Sequence, residues 1–229
     1  MSNYVGIYQM AEASRYLSIT APKTKPGYPT VRRWVRSGVL LNSELDRKEV
    51  EVVLSFEDLI SLRMIVALRL AGFSLQHIRK VHLWLQNEVT HYPRPFALRD
   101  LWVSTTDVFV RMEGAFLSAS RQGQFALEFI KDWLRELRRP DTGPLDLTFE
   151  KFDGKERAIA WSPHAHIALN PKIQFGSPCI SGTRIPTYSV WGMHRAGTPE
   201  ITIANDYKVP VDAVKAAIDW EQKIDRLAA

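Results

Sequence analysis

Residues 28–40 read Tyr28-Pro-Thr-Val-Arg-Arg-Trp-Val-Arg-Ser-Gly-Val-Leu40. The spacing predicts a short helix with Thr30 as N-cap and Gly38 as its stop. At about 100° per residue, Val31, Trp34 and Val35 fall on one face while Arg32, Arg33 and Arg36 fan across the other. One face docks into a core. The other is a row of guanidiniums, whose planar forks match guanine edges and phosphate oxygens, so it suits the major groove of DNA.

Upstream, Met10, Ala13 and Leu17 recur at helical spacing between Gln9 and Ile19, followed by a polar, Pro- and Gly-containing loop from Thr20 to Pro29. Downstream, residues 39–54 have apolar ends around a polar centre with Arg47 and Lys48, the pattern of a small hairpin or wing. Ser55-Phe-Glu-Asp58 then reads as a capping box before Leu59, Leu62, Ile65, Val66 and Leu70, with Gly72 closing that helix. Ser74 caps the next helix, which carries Ile78, Val81 and Leu85.

The chain's formal charge of +5 is concentrated at its start: residues 1–40 hold six basic side chains (Arg15, Lys23, Lys25, Arg32, Arg33, Arg36) against one acid, Glu12. A basic excess confined to one segment is the footprint of a phosphate-binding surface. With 229 residues, 45% hydrophobic and 24% charged, the composition is that of a globular protein with one or two cores. No apolar run approaches the roughly 20 residues that cross a bilayer, and the N-terminus lacks a signal-peptide layout. We therefore expect a cytoplasmic protein without a membrane partner.

A single cysteine, Cys179, cannot form an internal disulfide or a paired-cysteine zinc site and reads as a small buried apolar side chain. No phosphate-binding glycine loop, dinucleotide fingerprint or metalloprotease motif occurs. The histidines share no metal-binding spacing. We expect no catalytic centre, no metal and no cofactor.

Between residues 91 and 165 the sequence predicts β-type runs near Leu101–Met112 and Phe116–Ser118, an amphipathic helix over Phe125–Arg138, and a hairpin turning at Asp153-Gly154. Farther on, Gly176, Pro178, Gly182 and Pro186 punctuate an irregular stretch. Three short helices follow near Tyr188–Ala196, Pro199–Asp206 and Val211–Arg226. Trp191, Tyr207 and Trp220 read as core. The expected class is α+β, mostly helical, in three units: a winged helix-turn-helix over 1–90, an α+β middle over 91–165 that could carry a dimer contact, and a helical domain over 166–229.

Residues 4–85 resemble the MerR-type winged helix-turn-helix: an early "IYQMAEASRYL" helix, a "YPTVRRWVRSGVL" recognition helix, a wing, then "LSFEDLISLRMIVALRLAGFSLQHI". The loop between the first two helices is longer than in that family. The long dimerisation helix of its activators is missing, since Pro93 and Pro95 end any such helix. Residues 166–221, with "SGTRIPTYSV" and "ANDYKVP", look like a small domain of unknown function found in antitoxin-like proteins beside PIN-like toxins. Joined, the two halves resemble a VapB-type antitoxin. The resemblance implies double-stranded operator DNA and a PIN-like ribonuclease toxin as partners, in a homodimer or a toxin–antitoxin hetero-oligomer.

Candidate DNA contacts are Arg15, Lys23, Lys25, Tyr28, Thr30, Arg32, Arg33, Arg36, Arg47 and Lys48. Candidate toxin contacts are Thr183, Arg184, Ile185 and Tyr188, with Arg184 suited to the acidic pocket that the resemblance implies. Arg184 could instead pair within its own domain with Asp206 or Asp219. The alternative function is a ligand-responsive regulator whose middle layer encloses an effector among Trp102, Phe109 and Phe116.

Overall fold

A computed structural model describes residues 6–21, 25–36, 53–70, 72–90, 92–97 and 155–228, together with paired strands between 101 and 152; the side chains of 88–90 and 101–157 are outside the description. The first strand, β1 (Tyr8–Gln9), runs directly into α1 (Met10–Thr20). Gln9 and Glu12 close a reciprocal capping box at that junction, with the Gln9 amide donating to Glu12 Oε2 at 3.3 Å. Met10, Ala13 and Leu17 are all buried, as their spacing predicts.

α2 (Tyr28–Arg36) starts two residues before the expected Thr30 cap. The Gly27 carbonyl accepts from the amides of both Thr30 and Val31, at 2.9 and 3.1 Å, so Thr30 lies within the first turn. Pro29 fits there because an amide in that position has no helical partner to lose. Val31, Trp34 and Val35 are buried.

The expected helix stop at Gly38 and most of the expected wing, including Arg47 and Lys48, lie outside the described residues. Its last two residues form β2 (Val53–Leu54), which pairs antiparallel with β1, Tyr8 opposite Leu54 and Gln9 opposite Val53. α3 (Phe56–Leu70) opens with Ser55 and Asp58 in reciprocal contact: the Ser55 amide donates to Asp58 Oδ2 at 2.9 Å, and the Asp58 amide donates to Ser55 Oγ at 3.1 Å. Leu59, Leu62, Ile65 and Val66 are fully buried, while Leu70 at the helix end is exposed. Gly72 takes the left-handed conformation at φ +96° that terminates the helix.

Ser74 caps α4 (Leu75–Trp84) by accepting from the His77 amide at 3.1 Å, and Ile78, Val81 and Leu85 are buried. A π-helical turn over Leu85–Thr90 and a 3-10 turn over Pro95–Ala97 close this half.

The middle is strand-built. β3 (Leu101–Val103), β4 (Val108–Met112), β5 (Ala115–Ser118), β6 (Gln124–Phe125) and β7 (Arg135–Glu136) form a five-stranded sheet in the order β6-β5-β4-β3-β7. The helix expected over Phe125–Arg138 meets strand at its described positions: Phe125 is paired with Leu117, and Arg135–Glu136 extend the edge of β3 opposite Val103 and Trp102, while residues 126–134, 137 and 138 lie outside the described residues. Trp102 stands opposite Phe109, and Phe116 opposite Arg111, but their side chains lie outside the description.

The expected hairpin forms from β8 (Asp146–Phe152) and β9 (Lys155–His164), with Phe152 opposite Lys155. It joins β10 (Ile167–Leu169) and β11 (Cys179–Ile180) in a four-stranded sheet, β11-β10-β9-β8. Three helices complete the chain close to their expected positions: α5 (Thr187–Arg195), α6 (Glu200–Tyr207) and α7 (Val211–Ala228). The fold is thus α+β with helix the larger part.

One hydrophobic core runs from Tyr8 and Leu17 through Ile65 and Trp161 to Trp220. Tyr16 of α1 lies against Trp220 of α7, ring centroids 5.5 Å apart, and edge-on to Tyr8 at 6.4 Å. Trp220 is fully buried, and Trp191 and Tyr207 pack partly buried against the same core. Among the described residues no helix is long and apolar enough to cross a membrane.

Candidate nucleic-acid interface

α2 is held by its apolar face, so its opposite face must point outward. Arg32, Arg33 and Arg36 are all exposed there, and with Pro29 they line one open depression. None of the three has an ion-pair partner among the described residues. Three guanidiniums within little more than one turn, unneutralised among the described residues, form a field that attracts anions, and Arg33 and Arg36 also sit in the last turn, where the helix dipole favours cations. The side chains are free to fork onto phosphates or base edges.

The other expected DNA contacts are more dispersed. Tyr28 is exposed at the start of α2, and Lys25 is exposed in the preceding loop with a left-handed backbone at φ +37°. Arg15 on α1 and Thr30 on α2 are half-buried. Lys23, Arg47 and Lys48 lie outside the described residues.

Asp58 anchors this half by a second route. Besides capping α3 it receives the guanidinium of Arg94, which pins the Pro95 turn to the helix start. Also in this half, buried side-chain nitrogens of two basic groups have no hydrogen-bond partner among the described residues: Nε and Nη1 of Arg63, and both ring nitrogens of His82. Burial pushes the His82 imidazole down to about 4, aided by the charge of Arg94, and lowers Arg63 to about 10.

At the far end of the chain, Arg184 and Tyr188 are exposed. Thr183 is taken up by its own turn, donating to the Ile180 carbonyl at 2.8 Å and accepting from the Ile185 amide at 3.1 Å; Ile185 is half-buried. The expected pairing of Arg184 with Asp206 or Asp219 does not occur. Asp219 is engaged by Lys223 one turn along α7, at 2.6 Å, and by His164 at 3.0 Å, the nearer partners. Cys179 is buried, and loss of water raises its thiol to about 11. Among the described residues no group of three or more His, Cys, Asp or Glu could hold a metal ion.

What the sequence reading missed is the seam between the two ends. Tyr8 Oη donates to the Gly176 carbonyl at 2.9 Å, and the Ile7 amide donates to the Phe175 carbonyl at 3.1 Å. Gln174, Phe175 and Gly176 are successively left-handed, at φ +48°, +55° and +92°. For the two non-glycine residues that conformation costs on the order of 1 kcal/mol each. A two-residue strand has no readable period, so nothing local betrays this contact.

Comparison with known proteins agrees with this architecture. Residues 8–82 match the family described as MerR HTH family regulatory protein, and residues 167–220 match DUF433, a family of unknown function. A Mycobacterium tuberculosis protein named for an antitoxin role, VapB45, is 25% identical over 234 residues, covering 94% of this chain and 93% of that relative.

The chain resembles a VapB-type antitoxin with a MerR-like head. The crystal structure of Rv2018 from Mycobacterium tuberculosis shares the fold, with a TM-score of 0.61 at 22% identity over 92% of this chain and 96% of that one. In this VapB-like arrangement the arginine face of α2 belongs to the MerR-like head, and the Arg184 loop to the DUF433-like segment.

Proposed function

We propose that this chain is a cytoplasmic, non-catalytic DNA-binding antitoxin: its head grips double-stranded operator DNA and thereby represses its own operon, while its C-terminal region sequesters a PIN-like ribonuclease toxin. The observation that carries the DNA half is the trio of exposed guanidiniums, Arg32, Arg33 and Arg36, on the outward face of α2, unpaired among the described residues. Arg15, Lys23, Lys25, Tyr28, Thr30, Arg47 and Lys48 flank them as phosphate and groove contacts. The toxin half is supported by the similarity to VapB45. There we assign Arg184 and Tyr188 as contacts, with Thr183 and Ile185 shaping the loop that presents them. The working units are the head over 1–90, the middle over 91–165 and the toxin-binding region over 166–229. In a homodimer, the two α2 helices would meet half-sites about one helical turn apart or a multiple of it.

One purification tests both halves. The tagged chain, isolated gently from its host, should bring a small ribonuclease that becomes active only once separated. The freed chain should bind duplex DNA with a log affinity that falls linearly with log salt concentration. Arg32→Ala or Arg36→Ala should weaken that binding by about 1–3 kcal/mol. Salt-insensitive binding, or arginine variants that bind like the parent, would sink the DNA half. Failure to recover a nuclease would sink the toxin half.

A further inference from the structure

The left-handed turn at Gln174–Gly176 aims two successive carbonyls at the head: Phe175 accepts from the Ile7 amide, and Gly176 accepts from Tyr8 Oη. Tyr8 is 1% exposed, and its phenol is held protonated by burial. The turn is closed on itself by the Gly176 amide to the Ile173 carbonyl at 2.9 Å and the Ser177 amide to the Gln174 carbonyl at 3.0 Å. It is tied sideways by Gln174 Nε2 to the Arg184 carbonyl at 3.2 Å. Position 176 admits no side chain: a Cβ there would stand 2.2 Å from Tyr8 Oη, besides being strained at that φ.

The strand thus held is the hub of the head. β1 continues into α1, and α1 packs on α2. On its other side β1 pairs with β2, the end of the segment that carries Arg47 and Lys48. The C-terminal domain thus reaches this strand through the Tyr8 phenol and the neighbouring Ile7 amide, alongside the packing of α1 on α7 and β9.

We propose that Tyr8 is a positioning residue for DNA contact, acting through the Gly176 carbonyl to seat the head on the C-terminal domain in the orientation that presents α2. This rests on the DNA-binding reading above. The β1–β2 pairing, the run of β1 into α1 and the packing of α1 on α2 give the coupling a physical route. Strained backbone persists where the surroundings hold it, and here the holder is the head itself.

The test uses the full chain and a short fluorescent duplex of random sequence, followed by anisotropy across a salt series. Amide hydrogen exchange at β1 and β2 is measured in parallel. Tyr8→Phe removes one hydroxyl and keeps the ring, so the fold should persist. It should raise exchange at β1 and β2 and weaken DNA binding about three- to tenfold, the range expected for one lost hydrogen bond. Gly176→Ala should do the same or more.

Arg32→Ala and Arg36→Ala separate the two claims. If they weaken binding while Tyr8→Phe stays within about twofold of the parent, the positioning role is overturned and the DNA reading stands. If the parent fails to bind, or the arginine variants match it, the DNA reading falls and the positioning role falls with it. Raised exchange without lost affinity would make the contact structural only, which also overturns the proposal.

Discussion

At the scale of single residues, the head contains two basic groups that oppose its own stability. Arg63 is 2% exposed, and among the described residues its Nε and Nη1 have no hydrogen-bond partner, so it carries a desolvation penalty that those two groups do not offset. Replacing it by an unbranched apolar chain removes that cost, and Arg63→Met should raise stability by about 1–4 kcal/mol, read as a higher thermal midpoint. A fall instead would show that the guanidinium has a structural duty. His82 is depressed from 6.5 to about 4. Its folded form is neutral while the unfolded chain takes up a proton, so its contribution is fully present above pH 6.5 and fades as pH drops towards 4, by on the order of 3 kcal/mol at most. His82→Leu, placed against Phe96 and away from the charge of Arg94, should flatten the unfolding free energy across that window. An unchanged pH profile would assign the acid sensitivity to other groups.

At the scale of elements, what could be read beforehand is what is encoded locally. Ser55 with Asp58, Ser74 with the His77 amide, and Gly72 or Gly197 at positive φ are caps and stops whose chemistry acts within four residues. Seven helices and the β8–β9 hairpin are therefore legible to within a few residues. The same locality makes the exposed arginine face of α2 legible, because Val31, Trp34 and Val35 at one angular position dictate where the three arginines must point. The failures lie where a distant strand decides. Phe125 and Arg135–Glu136 have neighbours at helical spacing, but their backbones pair with β5 and β3. β1 was read as the start of a helix because its partner, Val53–Leu54, is more than forty residues away. The Tyr8–Gly176 contact spans 168 positions and leaves no local trace.

At the scale of the whole molecule, the arginine-bearing head and the C-terminal helices share one core rather than two cores joined by a linker. Trp220 is the keystone: fully buried on α7, it packs on Tyr16 of α1 and stands 6.3 Å from the ring of His164 on β9. Trp220→Ala should cost about 3–5 kcal/mol and lower the stability of both ends in a single cooperative transition, followed by circular dichroism together with the fluorescence of the remaining tryptophans. Two separate transitions in the parent would show instead that the ends fold apart. Because the ends share a core, a partner that engages the C-terminal helices and a duplex that engages α2 act on the same folded body. Each then changes the other's affinity by the same factor if either prefers one arrangement of the seam.

The turn at Gln174–Gly176 also bears on how such chains can be rearranged by recombination. A crossover between the head and the C-terminal region would transplant the arginine helix intact, yet the new neighbour would need a glycine at the matching place and two carbonyls aimed outward. A graft lacking them would keep its reading helix and lose its seat. The two regions are therefore heritable as a matched pair, and new combinations would have to be selected at both ends of the seam together.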